Sequence, residues 1–289
     1  MGNAEEGYVH MRNAFLGGSF VPDMIGIAGT LQAKGVKIYS HGETARELKR
    51  VGITSTDVGE YGDNPHLVDP VNHDLPLLNP KVHGSVLYRR GNDQDEKDAA
   101  ANGIVPFDVV AVNLKPLKTD IASPEGLSHM LNSIDVPILA LARGAAKNHA
   151  SVLVMTDPKD YNWTAMCVDA HTGIELSARR QLAGKVFQQT AAYYQRVQEV
   201  LEDALARVQL ESLDSMTGRD SVGNALVSVW YKDGIVDMAR MLHERSVPLY
   251  SSGGTAKKLN TEGIPVIDVA AFTGYPPLFG HRVVTLHEK

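Results

Sequence analysis

Apolar and polar residues alternate along this chain in blocks that predict β-strands and α-helices in turn. Residues 107–114 (FDVVAVNL) and 225–231 (ALVSVWY) are rich in β-branched and apolar side chains, as buried strands are. Residues 237–246 (DMARMLHERS) carry apolar side chains at helical spacing, and 81–90 (KVHGSVLYRR) has the character of a further strand. Strands that alternate with helices predict an α/β, Rossmann-like fold in which helices cover both faces of a parallel sheet.

An internal repeat divides the chain. When the sequence is shifted by 211 positions, 15 of the 40 residues from 28 to 67 are identical to those from 239 to 278. This agreement predicts a partial duplication of one strand–helix unit. The first copy opens with Gly and Pro (FLGGSFVPD), so its first strand is expected to be the less regular one. We predict a first domain over 1–208, a linker over 209–221 and a partial repeat over 222–289.

Composition narrows the function classes. The 289 residues are 43% hydrophobic with a net charge of -6, which argues against a nucleic-acid surface as the main binding site. The single cysteine, Cys167, excludes an intramolecular disulfide and favours a reducing compartment. No apolar run is long enough to span a membrane, so we expect a cytoplasmic protein. The histidines do not show metal-ligand spacing, and we predict no metal site.

A strand-to-helix junction in the second copy has the composition of an anion-binding loop. Its glycines let the backbone approach an anion, and the free amides at a helix start supply donors. An ordinary tight turn with a helix cap explains the same residues equally well. The first copy has His41 and Glu43 at equivalent positions, and the carboxylate is expected to repel a phosphate. The candidate loop consists of Ser251, Ser252, Gly253, Gly254 and Thr255.

Several segments together resemble a known family. SSGGTAKKL, GIPVIDVAAFTGYP, RVVTLHEK, LNPKVHGSVLYRR, FDVVAVNLKPL, RGAAKNHASVLVMTDPKDY and SARRQLAGKVFQQTAAY are similar to segments of inosine-monophosphate cyclohydrolases. These form the N-terminal domain of a bifunctional transformylase/cyclohydrolase of purine biosynthesis. The resemblance covers nearly the whole chain, and it implies a methylglyoxal-synthase-like fold.

The resemblance also implies a reaction and its residues. A formamido group and a carboxamide on one imidazole ribonucleotide condense to close a purine ring, and water leaves. Such a reaction needs geometry, proton transfer and charge stabilisation, and we expect no cofactor. Family members form homodimers, so a homodimer is implied. The positions that match family catalytic segments are Lys147, Asp135, Lys115 and Asn113. The positions that match nucleotide contacts, besides the loop above, are Ser228, Lys232, Arg282 and Thr285.

Departures from the family pattern leave alternatives open. Lys115 stands where the family has tyrosine, and Val284 stands where it has lysine. The chain is therefore either a purine-type cyclohydrolase, a diverged paralogue that closes a ring on a related nucleotide in a secondary pathway, or a catalytically inactive nucleotide-binding homologue. Residues 81–208 and 222–289 together match nearly one complete domain of the family. The repeat could therefore complete the site of its own chain (in cis) or of a neighbouring copy (in trans). The alternative, which has equal weight, is that the two copies form independent lobes and share no site.

Overall fold

The chain folds into two compact units, Met1–Ser212 and Leu213–Lys289. The predicted linker over 209–221 lies outside the described residues, and the predicted domain bounds stay a prediction. Within the described residues, none of the helices is both long and apolar enough to cross a membrane. The computed structural model describes residues 10–63, 75–118, 124–170, 174–207 and 222–276.

A five-stranded parallel sheet forms the centre of the first unit. The strand order is β3-β2-β1-β4-β5, so β1 pairs with β2 on one side and with β4 on the other. Every residue of β4 is buried, as its β-branched composition predicts. The strands are β1 (Asn13–Gly18), β2 (Lys37–Ser40), β3 (Thr56–Asp57), β4 (Val109–Asn113) and β5 (Leu153–Met155).

Helices cover both faces of this sheet, which confirms the predicted α/β architecture. Ala14 and Leu16 of β1 pack into one core with α1 and α8, while Phe15 between them packs into a second core with α4 and α7. Alternate residues of a strand point to opposite faces, so one strand contributes to both cores. The helices are α1 (Asp23–Ala33), α2 (Gly42–Arg50), α3 (Val58–Tyr61), α4 (Pro80–Leu87), α5 (Asp93–Ala101), α6 (Pro124–Asn132), α7 (Val136–Lys147), α8 (Lys159–Ala170) and α9 (Leu176–Arg207), with a 3-10 turn at Leu75–Leu77.

The strand predicted over 81–90 is wrong, because this segment begins as helix α4. The Asn79 side chain accepts a hydrogen bond from the backbone N–H of Lys81 at 2.8 Å, and Pro80 occupies the first helical turn. Both are helix-start signals. Val82 and Val86, four residues apart, share the buried face.

The second unit is smaller and has a three-stranded parallel sheet in the order β6-β7-β8. Val227, Leu249 and Leu259 belong to its single apolar core. Its elements are β6 (Ala225–Val227), α10 (Ile235–Glu244), β7 (Leu249–Ser251), α11 (Gly253–Thr261), β8 (Ile267–Asp268) and α12 (Val269–Thr273).

The two units share local structure at the predicted shift of 211. Helices α2 and α11 correspond residue for residue, and so do strands β3 and β8. Tyr39 meets Tyr61 edge to face at 5.1 Å between ring centroids, and Tyr250 meets Phe272 in the same way at 4.9 Å. These likenesses fit a duplication, although an ancestral duplication stays a prediction.

The expectation that the first copy begins with the less regular strand is wrong. β1 has six residues and lies between two neighbours, whereas β6 has three residues. Gly18 ends β1 with φ +80°, and a Cβ there would lie 2.0 Å from the carbonyl oxygen of Asn113. The glycine therefore permits the close approach of β1 to β4 instead of interrupting the strand.

Candidate functional site

A cavity of about 470 Å³ opens at the carboxyl ends of strands β1 to β4 in the first unit. This edge, where the strand order reverses between β1 and β4, is where open α/β sheets bind ligands. The cavity is lined by Gly18, Ser19, His41, Gly42, Glu43, Ala45, Arg46, Asp57, Leu77, Lys115 and Ile138.

Asn113, a predicted catalytic residue, fixes the loop that follows β1. Its amide donates to the carbonyl oxygen of Ser19 at 3.1 Å, and its side-chain oxygen accepts from the Tyr161 hydroxyl at 2.9 Å. The backbone N–H of Ser19 in turn donates to the carbonyl oxygen of Asn113 at 2.9 Å. Asn113 is buried, and its hydrogen bonds fix the position of Ser19, which lines the cavity.

Asp135 holds the segment that carries Lys115. The backbone N–H of Lys115 donates to one Asp135 carboxylate oxygen at 3.1 Å, and the N–H of Ile138 donates to the other at 3.2 Å. The N–H of Asp135 donates to the Tyr193 hydroxyl oxygen at 3.1 Å. Asp135 is fully buried and caps helix α7. This geometry fits a group that orients the Lys115 segment.

A histidine–carboxylate pair lies on the other side of the cavity. His41 Nδ1 lies 3.4 Å from a carboxylate oxygen of Asp57, whose second oxygen accepts from the backbone N–H of Gly59 at 2.8 Å. Partial burial raises the pKa of Asp57, but the bond and charge of His41 and the Gly59 amide outweigh it, so the pKa lies below its ordinary value. The Asp57 carboxylate therefore stays charged beside the imidazole.

Glu43 and Arg46 complete the charged lining. Glu43 lies in the first turn of α2, where the helix dipole favours a negative charge. The cavity thus combines carboxylates at 43 and 57 with cations at 46 and 115. Mixed charges of this kind suit a polar ligand that needs proton transfer.

Lys147 lies away from this cavity. It is exposed in the last turn of α7, whereas Ile138 in the first turn lines the cavity. The nine-residue step from Ile138 to Lys147 corresponds to roughly 14 Å along the helix axis. The structure brings together Lys115, Asp135 and Asn113, and it does not bring Lys147 to them.

The predicted phosphate loop of the second unit uses two of its hydroxyls internally. The buried Ser251 hydroxyl donates to the carbonyl oxygen of Val227 at 2.8 Å, and the Thr255 hydroxyl donates to that of Val229 at 3.1 Å. Gly253 has φ +55°, a left-handed conformation that suits glycine.

The remaining loop residues, Ser252 and Gly254, lie at the beginning of α11. The Ser252 side chain makes no capping hydrogen bond, and backbone amides at a helix start can donate to an anion.

The other predicted nucleotide contacts are partly described. Ser228 is exposed and directly follows β6. The Lys232 ammonium donates to the carbonyl oxygens of Val229 and, at 3.2 Å, Trp230 within its own loop. Arg282 and Thr285 lie outside the described residues.

Sequence reasoning missed four residues that line the cavity: His41, Glu43, Arg46 and Asp57. From the sequence, His41 and Glu43 are expected only to replace residues of a phosphate loop. The available signal was positional, because His41 and Asp57 come directly after or at the end of neighbouring parallel strands.

Two family models match the chain. Residues 145–222 match the model described as the AICARFT/IMPCHase bienzyme, and residues 234–286 match the MGS-like domain. This chain is a relative of the AICARFT/IMPCHase bienzymes. The resemblance inferred from its motifs is thereby confirmed, together with the methylglyoxal-synthase-like character of the fold.

Curated relatives and a solved structure agree with this assignment. The bifunctional purine biosynthesis protein PurH of Synechococcus elongatus is 35% identical over 204 residues, which cover 68% of this chain and 39% of that protein. PurH of Shouchella clausii is 37% identical over 185 residues, covering 63% of this chain and 36% of that protein. The chain thus spans less than two fifths of these relatives. The crystal structure of ForH superposes with a TM-score of 0.60 at 26% identity, covering 67% of this chain and 98% of ForH.

Proposed function

We propose that this chain is a cyclohydrolase-like enzyme that closes a purine-type ring by dehydration of a formamido-imidazole-carboxamide ribonucleotide. The cavity of the first unit is the proposed substrate site. The observation that carries the proposal is the placement of Lys115 at the switch point of the sheet, with its backbone fixed by the buried Asp135. Kinship with the cyclohydrolase part of a purine-biosynthesis family supports the reaction class.

The reaction joins two groups of one molecule. The carboxamide nitrogen attacks the formyl carbon, and a C–N bond forms while the formyl oxygen gains negative charge. The C–O bond then breaks, and that oxygen leaves as water with one hydrogen from each of the two nitrogens. Because both groups are already linked, an enzyme accelerates the step mainly by fixing geometry and moving protons.

The cavity supplies side chains for both tasks. The Lys115 ammonium stabilises the developing oxyanion and donates a proton to it. The His41 imidazole, oriented by Asp57, is the candidate for proton transfer to and from nitrogen, since histidine changes charge near neutral pH. Asn113 and Asp135 are positioning residues, because their polar atoms bind the protein itself.

A second candidate is ring closure on a related nucleotide in a secondary pathway. Two observations favour it. Glu43 brings a carboxylate to the beginning of α2, where a nucleotide phosphate would bind, and Lys115 replaces the tyrosine of the family pattern. The third candidate, an inactive nucleotide-binding homologue, predicts binding without turnover.

The test is a spectrophotometric assay of ring closure, combined with calorimetric binding of inosine monophosphate. We expect Lys115→Met to lower kcat by roughly 10²–10³-fold, as loss of one proton donor or oxyanion contact does. Lys147→Met is the matched control, since that lysine is exposed at the far end of α7. Loss of turnover in the Lys147 variant alone would instead support the role implied by the family resemblance. Binding without turnover in the unsubstituted protein would favour the inactive homologue.

A further inference from the structure

A second cavity of about 520 Å³ adjoins the candidate site of the first unit. It shares Ala45, Arg46 and Asp57 with the first cavity, so helix α2 forms part of the wall of both. Both volumes lie in the range of small-molecule sites. A ligand that is longer than one cavity can therefore extend past Arg46 into the other. The polar side chains that line only the second cavity are those of Lys49, Thr54, Ser55 and Glu60.

Two cations of α2, Arg46 and Lys49, face this second cavity. Both are exposed, and within the part of the chain that the structure describes neither side chain takes part in an ion pair or a hydrogen bond. The neighbouring Arg50 differs, because its Nε donates to a carboxylate oxygen of Glu47 at 2.8 Å. Guanidinium and ammonium groups are the side chains that bind phosphate oxygens most strongly. Arg46 and Lys49 therefore give the second cavity the chemistry of an anion site.

Hydroxyl groups lie on the opposite wall, in the loop between α2 and β3. The Ser40 hydroxyl donates to Ser55 Oγ at 2.7 Å, so the Ser55 proton remains available for another acceptor. The backbone N–H of Thr54 donates to Gln32 Oε1 of α1 at 2.8 Å, which holds the loop in place. Hydroxyl donors beside two cations suit an anion with several acceptor oxygens, as a phosphate has.

The beginning of α2 is less favourable for the same anion. Glu43 places a carboxylate in the first helical turn, and this carboxylate lines the first cavity. Lys49 lies six residues further along α2, roughly 9 Å along the helix axis, so an anion beside it is removed from that carboxylate. The second cavity has carboxylates of its own at Asp57 and Glu60. Because Asp57 is paired with His41, Glu60 is the carboxylate that opposes an anion most directly.

We propose that the second cavity binds the phosphate of the ribonucleotide substrate, while the part that carries the ring occupies the first cavity. This placement rests on the proposed function, which assigns ring closure to the first cavity. Arg46 lies where the two parts of the ligand meet, and Lys49 contacts only the phosphate. The phosphate is thus bound by side chains further along α2 and not by the backbone amides at the beginning of that helix.

Calorimetry with inosine monophosphate and with inosine separates the phosphate from the rest of the ligand. The full chain carries Gly254→Glu throughout, a change that is expected to weaken the competing loop of the second unit. We expect Lys49→Met to raise the dissociation constant of inosine monophosphate about fivefold to tenfold, as loss of one charge-assisted contact does. The dissociation constant of inosine should stay unchanged. Glu60→Gln removes the opposing carboxylate and is expected to lower the dissociation constant of inosine monophosphate about twofold.

Arg50→Met is the matched control, because it removes one positive charge from the same helix at a residue that lines neither cavity. It is expected to leave both dissociation constants unchanged. Equal effects of Lys49→Met and Arg50→Met would overturn the phosphate subsite, and so would equal losses of affinity for inosine and inosine monophosphate.

The assay of ring closure keeps this result apart from the proposed function. Turnover in the unsubstituted chain, together with an unaltered preference for the phosphorylated ligand in Lys49→Met, would overturn the subsite and leave the proposed function standing. A preference for the phosphorylated ligand that depends on Lys49, in a chain without turnover, would support the subsite and overturn the proposed reaction.

Discussion

At the residue scale, the two units offer the same loop with different chemistry. His41 and Ser252 have nearly the same backbone angles (φ -147°, ψ 158° and φ -141°, ψ 162°), and each precedes a glycine of positive φ. The two loops therefore differ in side chains and not in backbone, and the difference in charge lies at the second helical position. That position is Glu43 in the first unit and Gly254 in the second.

Exchanging these two side chains tests whether charge decides phosphate binding. We expect Glu43→Gly to strengthen binding of inosine monophosphate to the first unit, and Gly254→Glu to weaken its binding to the loop of the second unit. Each change is about twofold to fivefold, since a charge at a helix N-terminus is worth roughly 0.3–1 kcal/mol. A Cβ at Gly254 meets nothing within 4 Å, so its substitution leaves the loop intact. Calorimetry with inosine is the uncharged control, and equal changes for inosine would rule out a charge effect.

At the scale of elements, the sequence predicts strands and helices best where one signal is strong, either a run of β-branched residues or apolar residues at helical spacing. The β-branched run of β4 and the helical spacing of α10 are examples. The apolar residues of α4 suit either a strand or a helix, and the signal that decides for a helix, Asn79 followed by Pro80, lies at and before its first residue. The sequence indicated Lys115 and its positioning residues through the family pattern. His41 and Asp57 become neighbours only when β2 and β3 pair, which no local pattern shows.

The close contact of β1 with β4 predicts a large cost for one methyl group. Gly18→Ala would place a Cβ 2.0 Å from the Asn113 carbonyl oxygen, and it also needs φ +80°. We expect it to lower the free energy of unfolding by about 4 kcal/mol, as severe steric strain does. Gly35→Ala separates the two effects, because Gly35 has φ +76° with nothing within 4 Å of its Cβ. It should cost only about 1–2 kcal/mol. Equal losses in urea denaturation would contradict the steric argument.

At the scale of the whole molecule, the described residues of the second unit resemble the first half of the first unit. The described residues of the second unit provide strands equivalent to β1, β2 and β3, with no equivalent of β4 or of the helices that cover it. Asn113 belongs to β4 of the first unit, and Lys115 and Asp135 follow β4 in the chain. Among the residues that the structure describes, the cavity of the first unit therefore has a wall contributed by β4 and Lys115, whereas the glycine-rich loop of the second unit has no such wall.

The pH dependence of stability in the first unit is expected to depend on His83. This side chain is buried and its Nε2 lacks a hydrogen-bond partner among the described residues. Burial lowers the pKa of His83 from 6.5 to about 4, against the opposite effect of a hydrogen bond with the Leu77 backbone. Between these values the unfolded chain binds a proton that the folded chain does not. The stability present above about pH 6.5 is therefore lost as the pH falls towards 4.

His83→Gln measures this contribution, because glutamine keeps a donor but does not titrate. Urea denaturation at pH 7 and pH 5, followed by Trp163 fluorescence in a Trp230→Phe background, reports on the first unit. Uptake of one proton on unfolding lowers stability by about 1.4 kcal/mol for each step of one in pH, so the histidine protein should lose about 2 kcal/mol more than the glutamine variant between these pH values. Parallel losses in the two proteins would mean that His83 is already protonated in the folded state, and that its burial does not set the acid limit of this unit.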